Sequence, residues 1–229
     1  MTPDSLAANG RKDRSGPAIL WMWVAAVYTL LFVASLSMGA TSSFGYWLLI
    51  GLLAIVTLGV LIKSPFPPGF YGLTLRGSGA SLGSAVASFA VLTGIGAAAL
   101  VVGRGEGVVP SGFALLAPQL DLELLVYLGV AVPLQELVFR GIFQNGARYL
   151  LRGRDGAGAF AVAVSTTVYA ASHLPWGMTA VLVAVVPGLM WGIQFERDRT
   201  LVGVTASHAA LGFVVFGLTP VWSMITSST

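Results

Sequence analysis

The chain has 229 residues, 56% of them hydrophobic and only 9% charged, with a mean hydropathy of +0.85 and a net charge of +3. A soluble domain carries about 25% charged residues, so a soluble enzyme or binding module is excluded and an integral membrane protein is expected. The absence of cysteine removes disulfides, thiolate nucleophiles and thiolate metal sites. The basic residues are scattered at the ends of apolar runs, where they orient a protein in a bilayer, and do not suggest a nucleic-acid partner.

The apolar runs are long enough for helices rather than barrel strands. The expected fold class is therefore all-α, a polytopic membrane protein of about seven transmembrane helices. Residues 1–15 read as a disordered cytoplasmic tail and residues 16–229 as a single transmembrane domain. Sixteen polar residues ahead of a long apolar run do not make a cleavable signal peptide. The spans fall at roughly 17–39, 45–62, 80–103, 124–147, 158–174, 177–195 and 200–223.

Basic residues alternate with these spans. Arg11, Lys12 and Arg14 precede the first. Lys63 and Arg76 follow the second, Arg148, Arg152 and Arg154 the fourth, and Arg197 and Arg199 the sixth. All fall on one side of the membrane, while Arg104 falls on the other beside Glu106, Asp121 and Glu123. The positive-inside rule then puts the N-terminus in the cytoplasm. Ser64-Pro65-Phe66-Pro67-Pro68-Gly69 reads as a rigid loop, because its prolines cannot continue a helix. The Gly, Ala and Ser of the third span, with Gly188, Gly192, Gly203 and Gly212 further on, read as close-packing positions. The tryptophans, Trp176 and Trp191 among them, read as interfacial anchors.

Few ionisable groups lie inside the spans: Glu136, Arg140, His173 and His208, the last two being the only histidines. Charge at membrane depth costs roughly 2.5–3.5 kcal/mol per residue on insertion scales, and such groups mark functional sites. Glu136 and Arg140 are four apart on one helix and can pair; a purely structural ion pair is the plain alternative. Pro133 frees a backbone carbonyl one turn earlier and predicts a kink. Gln135 lies about 100° round the helix from Glu136 and edges the same cleft. Counted from the cytoplasmic turns, Glu136 and His173 come out level. His208 joins them if the fourth helix extends into the cytoplasm.

These residues resemble the CPBP family, which groups CAAX prenyl endopeptidases with bacteriocin-processing and immunity (Abi) proteins. The family's Glu-Glu-x-x-x-Arg signature, usually followed by Gly, is matched by Gln135-Glu136-Leu137-Val138-Phe139-Arg140-Gly141. Its Phe-x-x-x-His is matched by Tyr169 to His173, and its His-x-x-x-Asn by His208 to Gly212. The match covers residues 121–223. It implies an intramembrane endopeptidase of a bacterial or archaeal cytoplasmic membrane, acting on a membrane-associated peptide or protein. The implied site residues are Glu136, Arg140, His173, His208 and Gln135. In such a site a glutamate activates water while His and Asn stabilise the oxyanion. Glu136, His173 and His208 could also hold a zinc ion with an open position for water. Gln135 stands where the family has its first Glu, and an amide cannot take a proton. Gly212 stands where it has Asn. A second reading is thus a catalytically impaired pseudoprotease acting as a membrane scaffold, and a third a proton or solute carrier.

Overall fold

The computed structural model describes residues 43–106 and 120–219, with Val24, residues 27–30 and Pro118. The tail expected over residues 1–15 and most of the first span lie outside the described residues, as does the end of the seventh span. Among the described residues every regular element is a helix. We number the main ones α1 (Ser43–Lys63), α2 (Ser78–Gly105), α3 (Leu122–Leu150), α4 (Ala157–Ala171), α5 (Met178–Asp198) and α6 (Leu201–Gly217). Helices α2, α3 and α5 are long and apolar enough to cross a membrane. Trp47–Lys63 within α1, α4 and α6 are shorter apolar helices.

Helix α4 has only 15 residues, about 22 Å at 1.5 Å per residue. That falls short of a hydrocarbon core of about 30 Å, and a turn follows it. His173 occupies this turn, its amide bonded to the Ala170 carbonyl at 3.0 Å. A short 3-10 turn, Leu174–Trp176, then leads to Gly177, whose φ of 93° is glycine territory, and α5 begins.

The basic loops gather at the opposite end of the helices. The Thr200 hydroxyl donates to the Thr74 carbonyl at 2.7 Å, and the Leu201 amide to the Gly72 carbonyl at 3.0 Å. Glu196 pairs with both Arg148 and Arg199. Burial, with Arg148 alongside, lowers Arg199 to about 10, which still leaves it charged at neutral pH. The proline loop therefore meets the α5–α6 turn and the end of α3 in one polar assembly.

The proline loop also explains the glycine after Arg140. Residues Pro68–Tyr71 form a 3-10 turn ending at Gly72, with φ 77°. The loop lies flat against α3 at Gly141, where a Cβ would come 2.7 Å from the Tyr71 carbonyl oxygen. Glycine lets the two backbones touch.

Of the Gly, Ala and Ser of α2 expected to pack closely, the serines and an alanine do so. Its buried residues are Ser81, Ala85, Ser88 and Leu92, spaced as one helical stripe. Among the described residues, no atom outside the helix's own backbone lies within 4 Å of the place a Cβ would occupy at Gly79, Gly83, Gly94 or Gly96. The serines hold the contacts instead. Ser88 donates to Gln194 Oε1 at 3.0 Å, and the Gly203 amide donates to Ser81 Oγ at 3.1 Å. Gly203 is the packing glycine of this seam: a Cβ there would collide with Ser81 and lie 2.7 Å from Gln194 Nε2.

Candidate functional site

Helix α3 is unusual around the expected site. It widens to π-helical turns over Tyr127–Ala131 and again over Leu137–Gln144, with an α-helical stretch, Val132–Glu136, between them. Pro133 lies in that stretch and has no N–H to donate. The expected irregularity thus takes the form of widened turns on either side of Glu136. Such turns are frequent at functional sites.

Glu136 and Arg140 are both 0% exposed and pair at 3.3 Å, Arg140 Nε to Glu136 Oε2. The other carboxylate oxygen, Oε1, is 2.7 Å from His208 Nδ1 on α6. An ionised carboxylate only accepts, so Nδ1 carries the proton of this bond. Two of the three signatures, 72 residues apart, thus meet through one hydrogen bond. Helix α3 runs well past the start of α6 at the basic end, so Glu136 and His208 share a depth despite their unequal distances from their turns.

Arg140 reaches onward to α5, where Nη2 donates to the Gly188 carbonyl at 3.2 Å. One turn along α3, Gln144 Nε2 donates to the Gly192 carbonyl at 2.8 Å. Gly188 and Gly192 also admit α4. Cβ atoms there would stand 3.1 Å from Tyr169 Cδ1 and 3.0 Å from Val162 Cγ1. The Arg140 guanidinium lies over the Tyr169 ring, 4.8 Å from its centre.

His173 is placed differently from His208. It is half-buried, and its Nδ1 donates to the Tyr169 carbonyl at 2.9 Å, leaving Nε2 with its lone pair. It makes no bond to Glu136. Tyr169 stands between the two histidines, its ring centre 4.8 Å from that of His173 and 6.0 Å from that of His208. Gln135 is half-buried beside Glu136 and outside the pair.

Trp191 does not act as an interfacial anchor. It is 1% exposed and stacks on the His208 imidazole, centres 4.0 Å apart and planes inclined by 22°. Its period on an apolar helix made it look like any other membrane tryptophan. Trp176 sits near His173, with ring centres 5.9 Å apart. Tyr127, another aromatic of the apolar pattern, is buried on α3 and packs edge-on against Phe216 of α6 at 5.5 Å.

The donor set does not suit a zinc ion. Glu136 has one oxygen on His208 and the other on Arg140, and a guanidinium at that distance repels a cation. Among the described residues no three His, Asp or Glu side chains are grouped to hold a metal ion. Glu136, His173 and His208, as arranged, do not fit one.

These features define a helical protein with a buried carboxylate–guanidinium–imidazole cluster on helices fit to cross a membrane. Residues 118–214 match the model of the type II CAAX prenyl endopeptidase Rce1-like family. Residues 118–214 are therefore an Rce1-like type II CAAX prenyl endopeptidase family domain, which runs from α3 into α6 and contains the residues of all three signatures. Comparison with curated proteins and with solved structures gave no match.

Proposed function

We propose that this protein is an intramembrane endopeptidase in which Glu136 and His208 form the general-base pair. The carrying observation is the 2.7 Å bond between His208 Nδ1 and Glu136 Oε1. It resembles the orienting carboxylate of other hydrolases, which fixes the imidazole tautomer and stabilises the imidazolium. Arg140 holds the carboxylate, and the parallel Trp191 ring holds the imidazole plane. His208 Nε2 takes a proton from water as the water oxygen bonds to the scissile carbonyl carbon. The carbonyl oxygen becomes an oxyanion. Collapse of this intermediate breaks the C–N bond, and the leaving amine takes back from His208 the proton that water gave up. Gln135 hydrogen-bonds the attacking water without removing its proton. This gives Glu136 a supporting role rather than the direct role of base.

The chain is read as an integral membrane protein whose seven spans place the basic end in the cytoplasm. Its substrate is the membrane-proximal part of a peptide or protein in the lipid bilayer. The test uses purified full-length protein in detergent with two probes, a farnesylated peptide ending in a CAAX sequence and a quenched peptide carrying an apolar transmembrane segment. Cleavage of at least one is expected, with loss in Glu136→Gln and His208→Ala. Cleavage that survives both substitutions refutes the assignment.

The pseudoprotease reading is favoured by one observation: Arg140 and His208 already occupy both oxygens of Glu136, as in a structural ion pair. It predicts an inert wild type whose melting temperature falls in the same two variants.

A further inference from the structure

Position 212 is glycine, one turn after His208 on α6, and an oxyanion donor is missing there if the site is built on the pattern described above. The space is not open. A Cβ at Gly212 would lie 3.2 Å from Tyr127 Cε1, 3.2 Å from Leu128 Cδ2 and 3.8 Å from the Tyr127 hydroxyl oxygen. The first turn of a longer side chain at 212 is thus already filled by Tyr127 from α3.

One distance places the phenol beside position 212, a turn from His208. Residues four apart on a helix have Cβ atoms about 5–6 Å apart, and His208 and Gly212 are such a pair. The Tyr127 hydroxyl lies 3.8 Å from the place a Cβ would occupy at 212, on the side-chain level next to that of His208. Tyr127 and Glu136 are both buried on α3. The widened turn Tyr127–Ala131 carries Tyr127 onto the face of α3 that meets α6. The ring is braced edge-on by Phe216, which limits where its hydroxyl can point.

We propose that the Tyr127 hydroxyl donates a hydrogen bond to the oxyanion of the tetrahedral intermediate, from the volume that a side chain at position 212 would otherwise fill. The inference rests on the endopeptidase reading. A phenol O–H is a competent donor, and in a water-poor site a preorganised donor stabilises developing charge strongly. No electron or proton transfer is required of it. The exchange also bears on the glycine: with Tyr127 in place, a side chain at 212 would have to push Tyr127 and Leu128 aside by a few tenths of an ångström.

The test is steady-state cleavage of whichever of the two peptide probes the wild type processes. Tyr127→Phe keeps the ring and removes the donor. It is expected to lower kcat about 100-fold, the size of effect seen when one oxyanion donor is removed, with KM changed by less than about threefold on the ground that the donor acts in the transition state. Its melting temperature should match that of wild type. Gly212→Asn alone should lose activity, through crowding against Tyr127 and Leu128. Tyr127→Ala with Gly212→Asn, which empties the space and supplies an amide, should cleave at least about tenfold faster than Tyr127→Ala alone, a part of the 10²–10³ that such a donor is worth. Tyr127→Phe cleaving within about threefold of wild type, while Glu136→Gln abolishes cleavage, overturns this inference and leaves the endopeptidase reading intact. A wild type that cleaves neither probe overturns both.

Discussion

Replacing Arg140 by methionine leaves Glu136 as a carboxylate 0% exposed with His208 as its remaining partner. At 3.3 Å and an effective dielectric of about 20, the lost attraction is roughly 5 kcal/mol. Breaking a buried pair by removing one member costs about 3–5 kcal/mol in practice. The methionine stem keeps part of the packing over Tyr169, so most of the loss is electrostatic. The Gly188 carbonyl keeps its place in the α5 ladder and adds little. Removing both charges, in Arg140→Met with Glu136→Gln, leaves no unpaired ion and should cost only about 1–2 kcal/mol, because a neutral replacement for a buried pair is often tolerated. The measurement is unfolding in detergent followed by circular dichroism for wild type, both single variants and the double variant. With each single removal costing about 3–5 kcal/mol and the double about 1–2, a coupling of at least about 4 kcal/mol between the two positions is expected. If Arg140→Met unfolds within about 1 kcal/mol of wild type, or the two substitutions simply add, the pair does not carry the stabilisation assigned to it.

Gly141→Ala should destabilise the protein by about 1–3 kcal/mol, as overpacking does, because its Cβ meets the Tyr71 carbonyl at 2.7 Å; a thermal melt checks this. Trp191→Leu should lower kcat more than it raises KM, since it releases the stacked His208 ring without touching Glu136, and initial-rate kinetics on the cleaved probe separate the two effects. Incubation with EDTA should leave cleavage unchanged, given the engagement of both Glu136 oxygens; loss of activity restored by zinc would contradict the donor geometry. A chain without cysteine suits single-cysteine labelling. Asp155→Cys should be shielded from a membrane-impermeant maleimide in right-side-out vesicles and Glu106→Cys labelled, and the reverse pattern would invert the topology.

The signatures were legible because buried charge is rare in this chain. Glu136, Arg140, His173 and His208 stand out against residues that are almost all apolar, and spacing along helices gave their depth. Spacing does not give rotation about the helix axis. Membrane helices are apolar all round, so no hydrophobic face tells which side of α5 or α3 turns inward. That is why Trp191 read as an anchor and Tyr127 as filler, though both lie against site residues. The same limit separates the histidines: His208 meets Glu136, whereas His173 comes level with it but binds its own helix's carbonyl. The small residues of α2 divide for a related reason. Composition marks a helix as able to pack closely, but the packed stripe is the one holding Ser81 and Ser88.

At the site itself, Arg140 and Gln144 of α3 reach main-chain carbonyls of α5, those of Gly188 and Gly192. No change of side chain at these two positions removes such acceptors. Substitution there acts by intruding on the space the glycines leave, where Tyr169, Thr166 and Val162 would have to give by a few tenths of an ångström. Residues beside them, such as Leu182, Val183 and Ile193, are exposed and can change between apolar types at little cost. The helix thus frames the site with its main chain and its glycines, and most of its outer surface takes no part in that framing.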